Sequence, residues 1–284
     1  MKISCAVNAW NEASTIDLCL KSLQGFADEV IILDSGSIDG TPKIAQSCLE
    51  ELGLSGEVKE VRAKTYFKFR LESINSCVGD WVLIQNSTTI LSDALKKEFV
   101  NHMNTGKKGF VDVKSLNLMG DYAHFFGNRP FMAYHRMLAP RNAEFGSSIC
   151  EPVYKGRGRA AVNWAVNLSR VRPSWRSWYR GEPFDRRHYD GSSWKHEANR
   201  QRRWIESRKY YDLIEYTEGE EGLTLEDVKR VAPSWYLRQL QLEATPLTPH
   251  LRQGLPEVIE EELRNPRYRL IKKGGMIIGR EPSL

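Results

Sequence analysis

Apolar residues in the first third of the chain come in short, nearly unbroken blocks, Ile3 to Val7, Val30 to Leu33 and Trp81 to Ile84, each of strand length. Between the blocks, apolar positions return every three or four residues, the spacing of a single helix face. Strands apolar on both faces that alternate with amphipathic helices describe a mostly parallel sheet with helices on both sides. The pattern predicts a first helix from near Ser14 to just before Gly25. It predicts a second with Thr41 as N-cap and Pro42 at the first helical position, ending before Gly53. A third covers about Phe67 to Cys77, and a fourth begins after Ser92 with Asp93 in its first turn.

From about Gly109 the reading changes to strand-like pieces, Phe110 to Leu118 and Phe131 to Leu138, joined by Gly, Asn and Pro. These add antiparallel or mixed strands to the sheet. After Tyr189 the chain turns polar and helical, with candidate helices at Trp194 to Tyr216, Leu225 to Val231 and Leu255 to Arg264, and no internal repeat. The expected organisation is an α/β domain over residues 1–185 and a helical C-terminal extension over 186–284.

A chain of 284 residues that is 41% hydrophobic can build a sizeable core. It has no apolar run of the ~18 to 20 residues that span a membrane, and Met1 to Asn11 lacks the layout of a signal peptide, so a cytoplasmic location is the expectation. The five cysteines, Cys5, Cys19, Cys48, Cys77 and Cys150, form no Cys-x-x-Cys pair and read as small core hydrophobes, and the six scattered histidines give no zinc motif. The formal charge of +5 is unevenly placed. Lys155 to Lys209 holds 15 Lys and Arg against 5 Asp and Glu, so the remainder of the chain is net −5. Such a segment either meets a polyanion or forms a solvated face.

Two stretches put polar residues just past the ends of buried strands: Ile3-Ser-Cys-Ala-Val-Asn-Ala-Trp-Asn-Glu12 and Val30-Ile-Ile-Leu-Asp-Ser-Gly-Ser-Ile-Asp-Gly-Thr41. Ligands of open α/β sheets bind at that edge. Asp34 and Asp39 can accept hydrogen bonds from a base or a ribose, and Gly36 and Gly40 allow close backbone approach; a plain strand-to-helix turn is the alternative.

Together with Phe69-Arg70 and the run Val78-Gly-Asp-Trp-Val-Leu-Ile-Gln-Asn-Ser-Thr-Thr-Ile-Leu91, these segments resemble glycosyltransferase family 2, of the GT-A fold. The nearest subgroup in wording is the inner-core lipopolysaccharide glucosyltransferase type, and the likeness runs from about Lys2 to Arg180. It implies a Rossmann-like sheet and a nucleotide-diphosphate sugar as donor, with UDP the expected nucleotide. It also implies inverting transfer of the sugar to a hydroxyl on a larger acceptor. By position it places Asn8, Ala9, Asn11 and Glu12 at the nucleotide pocket, Asp34 at the base, Asp39 in support of the turn, and Arg70 toward the ribose or diphosphate.

The family's Asp-x-Asp motif, which holds Mn²⁺ or Mg²⁺, reads Asn86-Ser87-Thr88 here. Asn86 and Thr88 offer neutral oxygens, so no metal or only weakly bound Mn or Mg is expected. Phe145 to Val153 resembles the segment of the catalytic base, with Glu151 in the acid's place and Cys150 in that of a histidine; a surface glutamate is the alternative. The resemblance puts Arg172 where a further metal ligand lies in the subgroup, and Arg172 with Arg170 or Arg176 can neutralise a diphosphate in the metal's stead. Trp164, Trp175, Trp178, Tyr179 and Trp194 sit among these cations and suit either core packing or stacking on sugars or bases. Acceptors left open are a glycan, a lipid-linked glycan, a protein, or DNA reached through residues 155–209. Two other functions stay open: a catalytically inactive binding or scaffold protein, and a nucleic-acid-binding protein.

Overall fold

A computed structural model describes residues 1–10, 12–37, 39–61, 66–106, 109–127, 130–147, 152–154, 158–171, 241 and 244–282. β1 (Ile3–Ala9), β2 (Glu29–Asp34), β3 (Gly56–Glu60) and β4 (Trp81–Asn86) lie parallel in the order β3-β2-β1-β4. α1 (Ile16–Leu23), α2 (Thr41–Leu52) and α3 (Tyr66–Asn75) alternate with them. Past β4 the sheet becomes mixed. β5 (Thr89–Leu91) and α4 (Asp93–Asn104) lead to β6 (Phe110–Met119), β7 (His124–Phe126) and β8 (Phe131–Pro140), and β8 runs antiparallel to both β4 and β6. A short hairpin of β9 (Phe145–Ser147) and β10 (Pro152–Tyr154) follows, then the long β11 (Gly158–Arg170), parallel to β6 and antiparallel to β5. This is the expected α/β, GT-A architecture.

Side-chain alternation sorts the sheet's two faces. Cys5, Val7 and Ala9 of β1 join α1 and α2 in the larger apolar cluster, whereas Ala6 joins Phe69 and Ile74 of α3 in a second cluster on the opposite face. Gly79 has no room for a side chain: a Cβ there would sit 2.7 Å from the backbone nitrogen of Ser4. The cysteines behave as expected, with Cys5, Cys19, Cys48 and Cys77 buried as free thiols and Cys150 outside the described residues. Burial pushes Cys19 and Cys77 up to about 12.

Two local expectations change. The N-cap of α2 is Gly40, at φ 87°, and Thr41 is already helical. The capping acceptor comes from Asp39, whose Oδ1 takes the Thr41 amide (3.1 Å) and hydroxyl, and the Thr41 hydroxyl oxygen in turn accepts a longer-range hydrogen bond. The described part of the 186–284 extension is also not helical throughout. Beside α5 (Pro249–Gln253) and α6 (Glu257–Arg264) it holds β12 (Ala244–Pro246) and a hairpin of β13 (Tyr268–Lys273) and β14 (Met276–Pro282). Gly274 (φ 57°) and Gly275 (φ 82°) supply the positive-φ turn of that hairpin, which the polar composition conceals. The candidates at Trp194 to Tyr216 and Leu225 to Val231 lie outside the described residues.

This part of the chain is built into the first domain's core. β12 pairs with β7, and Leu247, Leu251, Leu255 and Ile259 fill the cluster formed by β1, β6 and α1. Arg267 forks onto Asp17 of α1, with Nη1 donating to Oδ1 at 3.0 Å, and its Nε lies 2.6 Å from Glu262. Among the described residues no helix is long and apolar enough to cross a membrane.

Candidate functional site

The carboxyl ends of β1, β2 and β4 finish level with one another. Asn8 is in register with Leu33 on one side and Asn86 on the other, and Ala9 is in register with Asp34. Ser35 and Ser87 donate their amides to the carbonyls of Ala9 and Asn8 at 3.0 Å each, so the three strands stay paired to their last residues. Beyond that point pairing stops and polar side chains face the crevice, the place where open α/β sheets take ligands.

Two loops meet over this edge. Asp34 is fully buried, its Oδ1 accepts the amides of Gly36 (2.9 Å) and Ser37 (2.7 Å), and its Oδ2 accepts the Ser37 hydroxyl. The carboxylate at the position expected to read a base is thus closing its own turn, with Gly36 at φ 92° to permit it. Asp39 works between loops. Its Oδ2 accepts the amide of Ala13 at 3.0 Å, while the Thr41 hydroxyl it orients accepts the amide of Glu12 at 2.8 Å. Glu12 is 6% exposed and its Oε2 accepts the Thr15 hydroxyl at 3.2 Å. Asp39 therefore holds the start of α2 and ties it to the β1 loop. Thr41 is the residue that sequence reasoning used only as a cap, because nothing along the chain signals a partner 29 positions away.

Arg70, on α3, lies on the other side of the crevice. It is 6% exposed, and its Nη1 stands 3.5 Å from Oδ1 of Asn86, which brings a permanent cation to the first residue of the Asn86-Ser87-Thr88 turn. Ser87 and Thr88 are buried, and the Thr88 carbonyl accepts the amide of Leu168 of β11 at 2.8 Å. Asn8 is fully buried, and neither atom of its side-chain amide has a hydrogen-bond partner.

The structure therefore brings together Asn8, Ala9, Asp34, Asn86 and Arg70 at one edge and links Glu12 to Asp39 beside it, with Thr88 in the adjoining turn. Asn11, Glu151 and Arg172 lie outside the described residues. Residue 151 directly precedes β10, which pairs with β9 and lies beside α3 and β8. Among the described residues no three of His, Cys, Asp and Glu come together as a metal cage would require.

A model of the family described as glycosyl transferase family 2 matches residues 4–157, more than half of the chain. An uncharacterized glycosyltransferase of Rickettsia bellii is 37% identical over 146 residues, which cover 51% of this chain and 48% of that protein. One of Rickettsia felis is 37% identical over 97 residues, 34% of this chain and 32% of the relative. The chain thus spans half or less of the length of these curated relatives. Among solved structures, glucosyl-3-phosphoglycerate synthase from Mycobacterium tuberculosis in complex with Mn²⁺, UDP and phosphoglyceric acid is 28% identical. That match covers 41% of this chain and 43% of that one, at a TM-score of 0.32. The mannosyltransferase PcManGT from Pyrobaculum calidifontis in complex with GDP-Man and Mn²⁺ is 22% identical, covering 39% and 35%, at a TM-score of 0.36. With the family match extending from β1 through β10 and including every described residue of the crevice, the chain belongs to glycosyl transferase family 2.

Proposed function

We propose that this chain moves a sugar from a nucleotide-diphosphate sugar, with inversion, to a hydroxyl of a larger acceptor, and that fixed cations take the place of a divalent metal. The observation that carries the reading is the meeting of Arg70 with Asn86 at the end of β4. A dication at Asn86 would face a guanidinium a few ångströms away and find only neutral oxygens in Asn86, Ser87 and Thr88. The neutral oxygens of Asn86, Ser87 and Thr88 suit Mn²⁺ or Mg²⁺ poorly, and no step is routed through one.

In this scheme Asn8, Ala9, Asn11, Glu12, Asp34 and Asp39 form the nucleotide side of the crevice, directly or by holding its loops. Glu151 takes the acceptor's hydroxyl proton as the oxygen attacks the anomeric carbon. The bond from that carbon to the diphosphate oxygen breaks on the opposite face, and its electron pair leaves on the phosphate. Arg70, with Arg172 as a second cation, stabilises that charge by hydrogen bonds that strengthen as it develops.

The test is a thermal-shift and calorimetric screen against UDP-, GDP-, CMP- and dTDP-sugars, each with Mn²⁺ and with EDTA. One nucleotide sugar should bind equally well with EDTA, and Arg70→Ala should weaken it by about tenfold or more. Binding that needs Mn²⁺ would refute the metal-independent reading. A scaffold or binding role is the second reading, favoured by the neutral Asn86-Ser87-Thr88 turn, and it predicts nucleotide binding without turnover or no binding at all. Affinity for DNA that falls steeply with salt, in a chain that binds no nucleotide sugar, would instead support nucleic-acid binding through residues 155–209.

A further inference from the structure

Among the described residues, large apolar side chains left in water are scattered, except on one strand. Met1, Val78, Val100 and Val162 stand one to an element or loop, as is ordinary for a protein surface. β14 instead carries two, Met276 at 66% and Ile278 at 44% exposure, with the buried Ile277 between them. Alternation puts Met276 and Ile278 on the outer face of the β13–β14 hairpin. Lys273 stands directly opposite Met276 in the ladder and shares that face, and both Arg269 and Lys273 are exposed. The inner face is fastened to the domain. Ile277 and Leu270 pack with Met119 and Phe126, and Lys272 Nζ lies 3.2 Å from Nε2 of His124, whose Nδ1 donates to Asp121 at 2.8 Å.

We infer that the outer face of this hairpin docks the chain on a lipid surface that carries anionic headgroups. Residues 268–282 hold four Lys and Arg against one Glu, the sign of charge that such headgroups attract. Met276 and Ile278 supply what phosphate contacts alone do not use, side chains that enter the boundary between headgroups and acyl chains. Lys273, beside Met276, can keep its ammonium among the phosphates while its stem lies along the apolar side chains. A nucleic acid suits this face less well, because the hairpin's one aromatic residue, Tyr268, packs against the core and leaves no ring for base stacking. Attachment of this kind lies on the surface and needs no spanning helix. The hairpin is also well placed for it. Met119 ends β6, and β6 runs in the direction of β4 because β8 is antiparallel to both, so the hairpin packs at the end of the sheet where the crevice opens.

The experiment mixes the full chain with vesicles of phosphatidylcholine alone, or of phosphatidylcholine with phosphatidylglycerol, and measures the bound fraction by flotation. The chain should bind the anionic vesicles, come off as salt rises, and leave the neutral vesicles bare. Met276→Ser together with Ile278→Ser should weaken binding by about tenfold or more, and Lys273→Gln by about fivefold, with the melting temperature unchanged because all three side chains are exposed. Val162→Ser removes an exposed apolar side chain elsewhere and should bind as the unaltered chain does. No binding to anionic vesicles, or equal binding to neutral ones, would overturn the inference. So would binding that survives the hairpin substitutions, which would assign attachment to cations elsewhere in the chain. A dimer in sedimentation velocity that Met276→Ser with Ile278→Ser dissociates, in a chain that ignores vesicles, would overturn it in favour of a second copy on this face.

Discussion

Glu98 of α4 offers a quantitative test of how β11 is held. Its Oε1 accepts from Arg159 Nη1 at 2.6 Å and the Val162 amide at 3.0 Å, and its Oε2 accepts from the Asn163 amide at 3.0 Å and Nδ2 at 2.9 Å. These bonds fasten the helix to the irregular stretch of β11 between Ala160 and Trp164, where the register with β6 shifts. Desolvation works to raise the carboxyl, but the hydrogen bonds from Asn163, Val162 and Arg159 outweigh it and hold the group down at about 2. Converted at about 1.4 kcal/mol per tenfold change in proton affinity, that depression corresponds to about 3 kcal/mol. The Arg159 side chain is 38% exposed and partly screened by water, so we expect about 2 kcal/mol.

A group with a depressed folded-state value stabilises the fold fully above the unfolded value of 4.5, and the contribution fades as pH falls toward 2. Glu98→Gln should therefore lower stability by about 2 kcal/mol at pH 7, and the deficit should fall to about half near pH 3. Urea unfolding followed by tryptophan fluorescence at pH 7, 5, 4 and 3 measures it. A deficit that stays constant with pH, or one under about 0.5 kcal/mol at pH 7, would refute the assignment. The effect should also reach the crevice, because β11 holds β5 and the Thr88 carbonyl through Leu168.

Thr41→Val removes the hydroxyl that joins Asp39 to the Glu12 amide and should cost about 1 to 2 kcal/mol in urea unfolding, together with weaker nucleotide-sugar affinity by calorimetry. Arg267→Ala leaves Asp17 and the buried Glu262 without their shared cation and should destabilise by about 2 to 3 kcal/mol at pH 7. Burial already raises the Glu262 carboxyl and loss of the cation raises it further, so protonation restores stability as pH falls. The melting-temperature deficit of that variant should shrink between pH 7 and 5. The buried thiols Cys5, Cys19 and Cys77 should react with an aromatic disulfide reagent only on unfolding, which stopped-flow absorbance with and without urea will show.

The sequence by itself determined the parallel half of the fold and the location of the crevice. Ile3–Ala9, Glu29–Asp34 and Trp81–Asn86 are buried on both faces, and such strands leave continuous apolar runs that need no partner to be recognised. β3 left no such mark, since Gly56–Glu60 is a mostly exposed edge strand of polar residues, and in β13 and β14 the apolar runs are only two or three residues long and stand among charged ones. The resemblance to family 2 put Asn8, Asp34, Arg70 and Asn86 at one site. Only the tertiary structure decided what each does there. Asp34 turned inward to its own loop, Arg70 met Asn86 across the crevice, Thr41 bridged two loops, and the amide of Asn8 was left without a partner. Hydrogen-bond partners are chosen by direction and distance among groups far apart in the chain, and neither quantity is written in local patterns of apolar and polar residues.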